Sequence, residues 1–562
     1  MRLQLNKVLK LFDHQIKGVH QVALLLGIMG ILTKVSALFR DRLLASAFGA
    51  GPELDVYFAA FRIPDFIFSL TLFMTASASL IPIFLEEMSK NEKNAHFFLS
   101  GILTSFLIFI FVLTLIIFMF IPSLIRVIAP GFDENQLSTL VILTRIMLFS
   151  PLFLGLSNII SIVIQSFQKF FIYALSPLFY NFGIIIGITV FYPFYGIKGL
   201  AWGVVIGAFF HLAIQIPSFI KLKFFPKLTL AIFTPSIKNA YLLGFTRTLG
   251  LSFNQVIFIV FTAIASFFSA GSISIFNFSN NIQSIPLSVV GVSYTVAAFP
   301  VLSRLFIRND RKEFLVYVSL ALRHIIFWSL PISVLFLVLR AQIVRSVLGA
   351  GAFGWTDTRL TAASLAIFSV SITAQSIILL LSRAYYAAHK TLKPIIINVL
   401  SSVFIILIAL IFIWFLRRSG EFQIFFSNLF RVGDISDIQI LFLAFAFSFG
   451  SIINALLLLK YFVKDFGLPD EFISRSLRQN ILASLIIGFT AYGGLRVFGA
   501  FLNTNTFLGI FFQGFLVGAL GVLAGFIILY FLKNKELSDV LSSLKTKFWR
   551  APVIAEETET LV

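Results

Sequence analysis

An all-α polytopic membrane protein is the fold class this sequence predicts: about fourteen transmembrane helices, two six-helix lobes and a C-terminal helix pair. Three observations predict it. Of 562 residues, 59% are hydrophobic and only 12% charged, with a mean hydropathy of +0.99, which excludes a soluble domain built on one core. Apolar runs of about 20 residues, the length that crosses a bilayer, recur from end to end. Short motifs also recur at a spacing of about 220 residues, as they do in duplicated membrane folds.

Taken in order, the first segment, MRLQLNKVLKLFDHQIKGVH, sets Lys7, Lys10 and Lys17 among apolar residues and lacks a small-residue cleavage site. It reads as an interfacial helix rather than a signal peptide. Apolar runs then fall near 20–39, 56–86, 97–122, 139–166, 170–192 and 196–220, and again near 237–268, 273–302, 314–339, 360–382, 392–416 and 438–459. Two more, 479–499 and 505–532, follow. An even number of crossings puts both termini on one side. The loops on that side hold more than twice as many Lys and Arg as the alternate loops, so both termini are expected in the cytoplasm.

The repeat pairs FGAG near Gly51 with FSAG near Gly271, ASLIPIF around Pro82 with VAAFPVL around Pro300, and the Lys169 region with that of Lys390. Copies of six helices insert with the same orientation, related by an axis along the membrane normal, with the site between them. The expected division is 1–19 interfacial helix, 20–222 first lobe, 223–236 linker, 237–465 second lobe, 478–533 last helix pair and 534–562 cytoplasmic tail. Pro64 and Pro82 in the second span, and Pro286 and Pro300 in the eighth, are open to two readings, bends that let the halves rock or the ordinary use of Pro in membrane helices.

Net charge +19 would suggest nucleic acid in a soluble protein, but here the cations sit mostly in short loops, so no nucleic-acid partner is expected. Absence of Cys removes thiolate catalysis and Cys-ligated metals. The six His are scattered, without metal-ligand spacing, and most read as solvated helix ends; no phosphate loop or nucleophile elbow is present. Asp357 and the Asp434–Asp437 region read as solvated loop charge. No enzyme, cofactor or metal is expected.

The stretch 33–82 is different. It sets Lys34, Arg40, Asp41, Arg42, Asp55, Arg62 and Asp65 inside or beside two spans. A mid-membrane charge costs about 2.5–3.5 kcal/mol on insertion scales, so such residues face a hydrated cavity or a partner. Lys34 and Arg40, six residues apart, lie about 9 Å apart along a helix axis. Arg247 opens the corresponding helix of the second half. Arg145 reads as structural, Arg323 as a helix-end snorkeller, and Asn181 as an interhelical hydrogen bond. Asp41 and Asp55 are open to two readings, pairing with Arg40, Arg42 or Arg62 at an outer gate or touching the substrate.

The motifs carry a resemblance. Arg40-Asp41, AFGAG at 47–51 with Asp55, AFRIPD at 60–65, PIF at 82–84, APGF at 129–132, SPLFYNFGIIIG at 176–187, YGIKGLAWGVVIG from Tyr195, RTLGL at 247–251, ASFFSAGSIS at 265–274 and NFSNNIQSIP ending at Pro286 occur in one order. Over roughly 20–535 the chain resembles the MurJ (MviN) lipid II flippase family of the multidrug and polysaccharide exporter superfamily. The resemblance implies fourteen helices, a cationic cavity between two lobes and a lipid-tail groove by the last two helices. It also implies outward carriage of the undecaprenyl-diphosphate-linked peptidoglycan precursor by alternating access, in a bacterial inner membrane, with membrane lipids and the cell-wall synthesis machinery as partners. An exporter of drugs or of another lipid-linked glycan, and a transport-inactive scaffold, are the competing readings.

Departures from the family pattern are specific. Its first-helix R-x-x-G-x-x-RD reads Lys34…Ala37…Arg40-Asp41. Its second-helix arginine falls at Phe68 or Ser69, the following E-G-A reads Phe73-Met74-Thr75, and the eighth-helix D-R is Asn280-Asn281. With two family cations absent, Arg62, Asn281 and Gln283 are expected to supply donors beside Lys34, Arg40 and Arg247. Asp41, Arg42, Asp55 and Asp65 are expected to form the gate. Asn254 and Gln255 bring no acid to the seventh helix, so no sodium site is expected there.

Overall fold

The computed structural model describes residues 19–545 apart from 76, 230–231, 233, 419, 431, 434, 436–437 and 468–471. The expected interfacial helix therefore lies almost wholly outside the described residues. Among those described, every regular element is a helix. Eleven helices are long and apolar enough to cross a membrane, or twelve if the pair bent by 43° at residue 371 is one span. The expectation of fourteen needs two further helices outside that set, α1, Val19–Phe48, and α12, Pro235–Ala265, which are 30 and 31 residues long.

Between them, α2 (Pro52–Ala60), α3 (Arg62–Thr75) and α4 (Ser77–Lys90) form one broken span. Next come α5 (Glu92–Ile128), α6 (Glu134–Met147), α7 (Phe149–Ser166) and α8 (Phe170–Ile186). A π-helical turn at Gly187–Phe191 leads to α9 (Tyr192–Tyr195), α10 (Ile197–Ala213) and α11 (Ile216–Lys221). After α12, α13 (Ser272–Pro286) runs through a second π turn, Leu287–Val292, into α14 (Ser293–Ile307). The chain continues as α15 (Arg311–Val338), α16 (Arg340–Leu348), α17 (Trp355–Val370), α18 (Ile372–Ala387), α19 (Leu392–Arg418), α20 (Gly420–Phe430) and α21 (Ile440–Phe466). It ends in α22 (Phe472–Phe501), α23 (Phe507–Phe531) and α24 (Lys535–Lys545).

Local sequence accounts for these breaks. Pro52 at the first position of α2 has no N–H to lose, and Asp133 with Gln136 forms a reciprocal capping box on α6. Thr506 caps α23 through the Gly509 amide at 3.1 Å. The glycines of SPLFYNFGIIIG and GLAWGVVIG pack α8 on α10. A Cβ at Gly183 would lie 2.2 Å from the Gly207 Cα, and one at Gly187 2.6 Å from the Gly203 Cα. Close approach of small residues is how helices associate where lipid removes the hydrophobic drive.

One face of α1 belongs to lipid: Ile28, Ile31, Leu32, Val35 and Phe39, at helical spacing, are all exposed. Its opposite face is buried through Asp41, Leu44 and Ala45. A single apolar cluster runs from Leu44 to Phe447 across both halves of the chain. Phe58 of α2 meets Phe278 of α13 edge-on at 5.5 Å, so aromatic rings seal the seam between halves.

Arg323 corrects the snorkelling expectation. It is 6% exposed, and its Nε lies 3.5 Å from Oε1 of Glu536, itself 2% exposed, because α24 folds back over α15. The solvated reading of His is also corrected in part. His211 Nδ1 lies 2.7 Å from Ser157 Oγ, His96 stacks on Phe224 and His324 on Tyr294, so these rings have partners within the bundle. Arg145 lies over the Phe118 ring, 4.8 Å from its centroid.

Candidate functional site

The polar run NFSNNIQS makes α13 the element around which the site is arranged. Asn277, Asn281 and Ser284 stand at i, i+4 and i+7, one face of a helix. Each meets a charged residue of the first half. Arg62 Nη2 donates to Asn277 Oδ1 at 2.8 Å, Asn281 Nδ2 donates to Asp41 Oδ2 at 2.9 Å, and Lys34 Nζ donates to Ser284 Oγ at 3.1 Å. One turn earlier on α13, Asp55 accepts from the amides of Gly271 and Ser274 at 2.7 and 2.8 Å and from Ser274 Oγ at 2.6 Å. From Ser274 to Ser284 this ladder spans about 15 Å of helix axis.

Its middle rung is a network. Arg40 Nε and Nη2 donate to Asp41 Oδ1 at 3.0 and 2.7 Å, and Arg40 Nη1 donates to Asn181 Oδ1 at 3.0 Å. Asn181 Nδ2 donates in turn to Ser36 Oγ at 2.9 Å and to the Thr33 carbonyl at 3.3 Å, the interhelical bond expected of it. Asp41 is 2% exposed and the Arg40 side chain 18%. Such a buried pair needs further hydrogen bonds, and here Asn281 donates to the second oxygen of Asp41 while Asn181 accepts from Arg40. Arg62 is buried too; its Nε donates to Thr262 Oγ1 at 2.7 Å and its guanidinium lies 5.5 Å from the Phe258 centroid.

At the end of the molecule marked by Asp55, glycine loops of the two halves interlock. Gly271 has φ +92°, and a Cβ there would lie 2.2 Å from the Ala50 carbonyl oxygen. A Cβ on Gly351, with φ +55°, would lie 2.2 Å from that of Ser46. Only glycine suits both conditions. The Ala352 amide donates to the Ser46 carbonyl at 2.9 Å, and Arg42 Nη1 donates to the Ser346 and Val347 carbonyls at 2.8 and 3.3 Å, capping α16. Arg42 also lies over Phe507, 5.0 Å from its centroid.

Asp357 departs from its reading as solvated charge. Its Oδ2 accepts from the Ala50 and Gly354 amides at 3.3 and 3.0 Å, so it holds the first half's loop much as Asp55 holds the second's. At the opposite end, Tyr241 hydrogen-bonds Ser105, and a Cβ on Gly244 would lie 2.1 Å from the Phe73 carbonyl oxygen.

Thus Lys34, Arg40, Asp41, Asp55, Arg62 and Asn281 come together along one seam, and Arg42 stands at its end. Asp65, three residues after Arg62 on α3, is half-buried beside it. Gln283 does not join them. Two positions from Asn281, it is rotated off the ladder face, 2% exposed, and bonded to Asn280 and Gln375 within the second half. The Arg247 side chain lies outside the described residues. Asn277, Thr262 and Ser284 are not singled out by the sequence reading, although the i, i+4, i+7 spacing of Asn277, Asn281 and Ser284 is available there, and Asp357 is read there only as solvated charge.

A family model described as lipid II flippase MurJ matches residues 44–516. The chain belongs to that family. A probable lipid II flippase MurJ of Buchnera aphidicola subsp. Schizaphis graminum is 29% identical over 409 residues, covering 70% of this chain and 78% of the relative. One from Buchnera aphidicola subsp. Acyrthosiphon pisum is 31% identical over 379 residues, 65% and 73% of the two chains. A solved lipid II flippase MurJ in an inward closed conformation superposes with TM-score 0.71 at 25% identity, covering 92% of this chain and all of that one. A MATE-family multidrug transporter of the MOP superfamily shares the fold at TM-score 0.62 and 14% identity, over 82% of this chain and 99% of its own. The MurJ match begins just after Lys34, Arg40, Asp41 and Arg42, so their place in the seam rests on the geometry above. As a MurJ family member, the chain is a multi-pass membrane transporter.

Proposed function

We propose that this chain carries lipid II, the undecaprenyl-diphosphate-linked peptidoglycan precursor, from the inner to the outer leaflet of a bacterial cytoplasmic membrane. The observation that carries the reading is the α13 ladder. Two cations, Lys34 and Arg40, lie inside the membrane at the seam of two halves, each held by hydrogen bonds that a phosphate oxygen could replace. Lys34 and Arg40 bind the diphosphate, and Arg62 and Asn281 donate to the head group once the halves part. Gln283 positions Gln375 instead of touching cargo, and Arg247 adds charge from the second half.

Asp55, with Asp41, Arg42 and Asp65, serves the outer gate, joined by Asp357. The lobes are 20–222 and 237–465, linked by 223–236, and 478–533 carries the groove for the lipid tail. Both termini face the cytoplasm, as the distribution of Lys and Arg favours. The chain is a transporter rather than an enzyme, and the cell-wall synthesis machinery is its partner through the cargo. An inside-negative potential favours outward movement of phosphate by about 2.3 kcal/mol per charge per 100 mV, a drive that needs no coupling ion.

The test is rescue of a MurJ-depleted bacterium. The chain is expected to restore growth, and Lys34→Ala with Arg40→Ala to abolish it at unchanged membrane abundance. Full rescue by that double variant, or none by the inserted wild type, refutes the proposal.

A further inference from the structure

One polar pocket lies off the ladder, at the end where the glycine loops interlock. It has a volume of about 550 Å³ and is enclosed by α16, the first turn of α17 and the turn joining α22 to α23. Arg345 and Gln342 of α16, Trp355 of α17, Thr504 and Asn505 of the turn, and Gln513 of α23 line it. None of its lining residues is acidic.

The walls are set in advance. Gln342 Nε2 donates to Gln513 Oε1 at 3.2 Å, and Gln513 Nε2 donates to the Leu495 carbonyl at 3.0 Å, with Gln513 only 5% exposed. Gly514 keeps this seam close, since a Cβ there would meet the Gln342 Cβ at 3.1 Å. Arg345 is half-buried, its aliphatic stem against Gly349, and among the described residues its guanidinium has no hydrogen-bond or ion-pair partner. Trp355, 62% exposed, offers a bare aromatic face on the rim.

That set of groups has a defined chemical complement. A guanidinium fork takes a phosphate oxygen pair, neutral amides and a threonine hydroxyl take hydroxyls or amides, and an indole face covers an apolar ring face. Location adds to this. Ser346 and Val347, the acceptors of the Arg42 latch, directly follow Arg345, so the pocket adjoins the latch. We propose that the pocket is an exit subsite for the phosphate-bearing head group of a lipid in the far leaflet, with Arg345 on the phosphate and Trp355 against the head group. For the translocated cargo as the source it rests on the flippase reading; for the binding chemistry it does not.

The test uses full-length protein in micelles, with lipid II, phosphatidylglycerol and phosphatidylcholine as probes. Affinity is read by native mass spectrometry, and Trp355 emission is read in a variant whose other four tryptophans are Phe, of the five present. Arg345→Gln is expected to weaken binding of the preferred phosphate lipid about tenfold to a hundredfold, on the scale of one charge-assisted hydrogen bond, and to remove the Trp355 response. Arg345→Lys is expected to recover part of both, because charge returns without the fork.

A loss confined to lipid II identifies the cargo as occupant. A loss for phosphatidylglycerol identifies an acidic phospholipid, and supports the subsite even if rescue of a MurJ-depleted strain fails. Lys34→Ala with Arg40→Ala should leave the Trp355 response in place. Unchanged affinities and emission in a folded Arg345→Gln protein overturn the proposal and leave Arg345 and Trp355 as interfacial anchors.

Discussion

Arg40 is the residue on which the seam depends most, because it is charged, largely buried and bonded to both Asp41 and Asn181. Its carboxylate partner Asp41 divides its two oxygens between Arg40 and Asn281, one from each half of the chain. Removing one member of a buried pair leaves an uncompensated charge, at a cost of about 3–5 kcal/mol. Asp41→Ala is therefore expected to lower the thermal midpoint in micelles markedly. Asn281→Ala keeps the ion pair but leaves one oxygen of Asp41 without its donor, at a cost of about 1–3 kcal/mol, and should shift it less. Equal shifts would show that the charge is solvated. Arg62→Lys tests geometry at constant charge. The guanidinium reaches Thr262 through Nε and Asn277 through Nη2, two directions that one ammonium cannot reproduce, so weaker rescue at unchanged expression is expected.

At the scale of the element, α13 acts as a bearing between the halves. Its N-terminal amides are satisfied by Asp55 from the first half, an N-cap supplied by another part of the chain. Such a cap exists only while the halves are closed at that end, which makes it a contact of one state. Gly271→Ala puts a methyl 2.2 Å from the Ala50 carbonyl and strains a positive φ. The expected outcome is greater labelling of a cysteine placed at Ser46, as the gate fails to close, with the fold retained. Gly207→Leu should behave otherwise, since its Cβ direction runs 2.4 Å from the Tyr180 carbonyl oxygen inside the rigid α8–α10 pair. Loss of folded protein is the outcome to look for there, by size-exclusion profile.

At the end marked by Asp55 the halves are joined by contacts of mixed kind: the Arg42 latch, the Asp55 and Asp357 caps and the Ser46–Ala352 backbone bond. A natural chain without Cys makes this testable. Ser46→Cys with Ala352→Cys, joined by a short bifunctional maleimide, is expected to abolish rescue, while either single variant remains active. Activity in the cross-linked pair would mean the halves need not separate at this end.

Sequence alone determined the solvent of this protein, its helical class, its approximate spans and the two charged helices, because the penalty for an apolar or charged residue in the wrong phase is local. It placed Lys34, Arg40 and Arg62 in the membrane on that ground alone. Which partner each would take was decided only by the tertiary structure, because Asn277, Asn281 and Ser284 lie more than 200 residues away and become neighbours when α13 packs on the first half. The same packing turned Gln283 inward and gave Asp357 an amide to hold. Long-range polar pairing depends on the rotation of one helix against another, and a linear pattern does not encode that rotation.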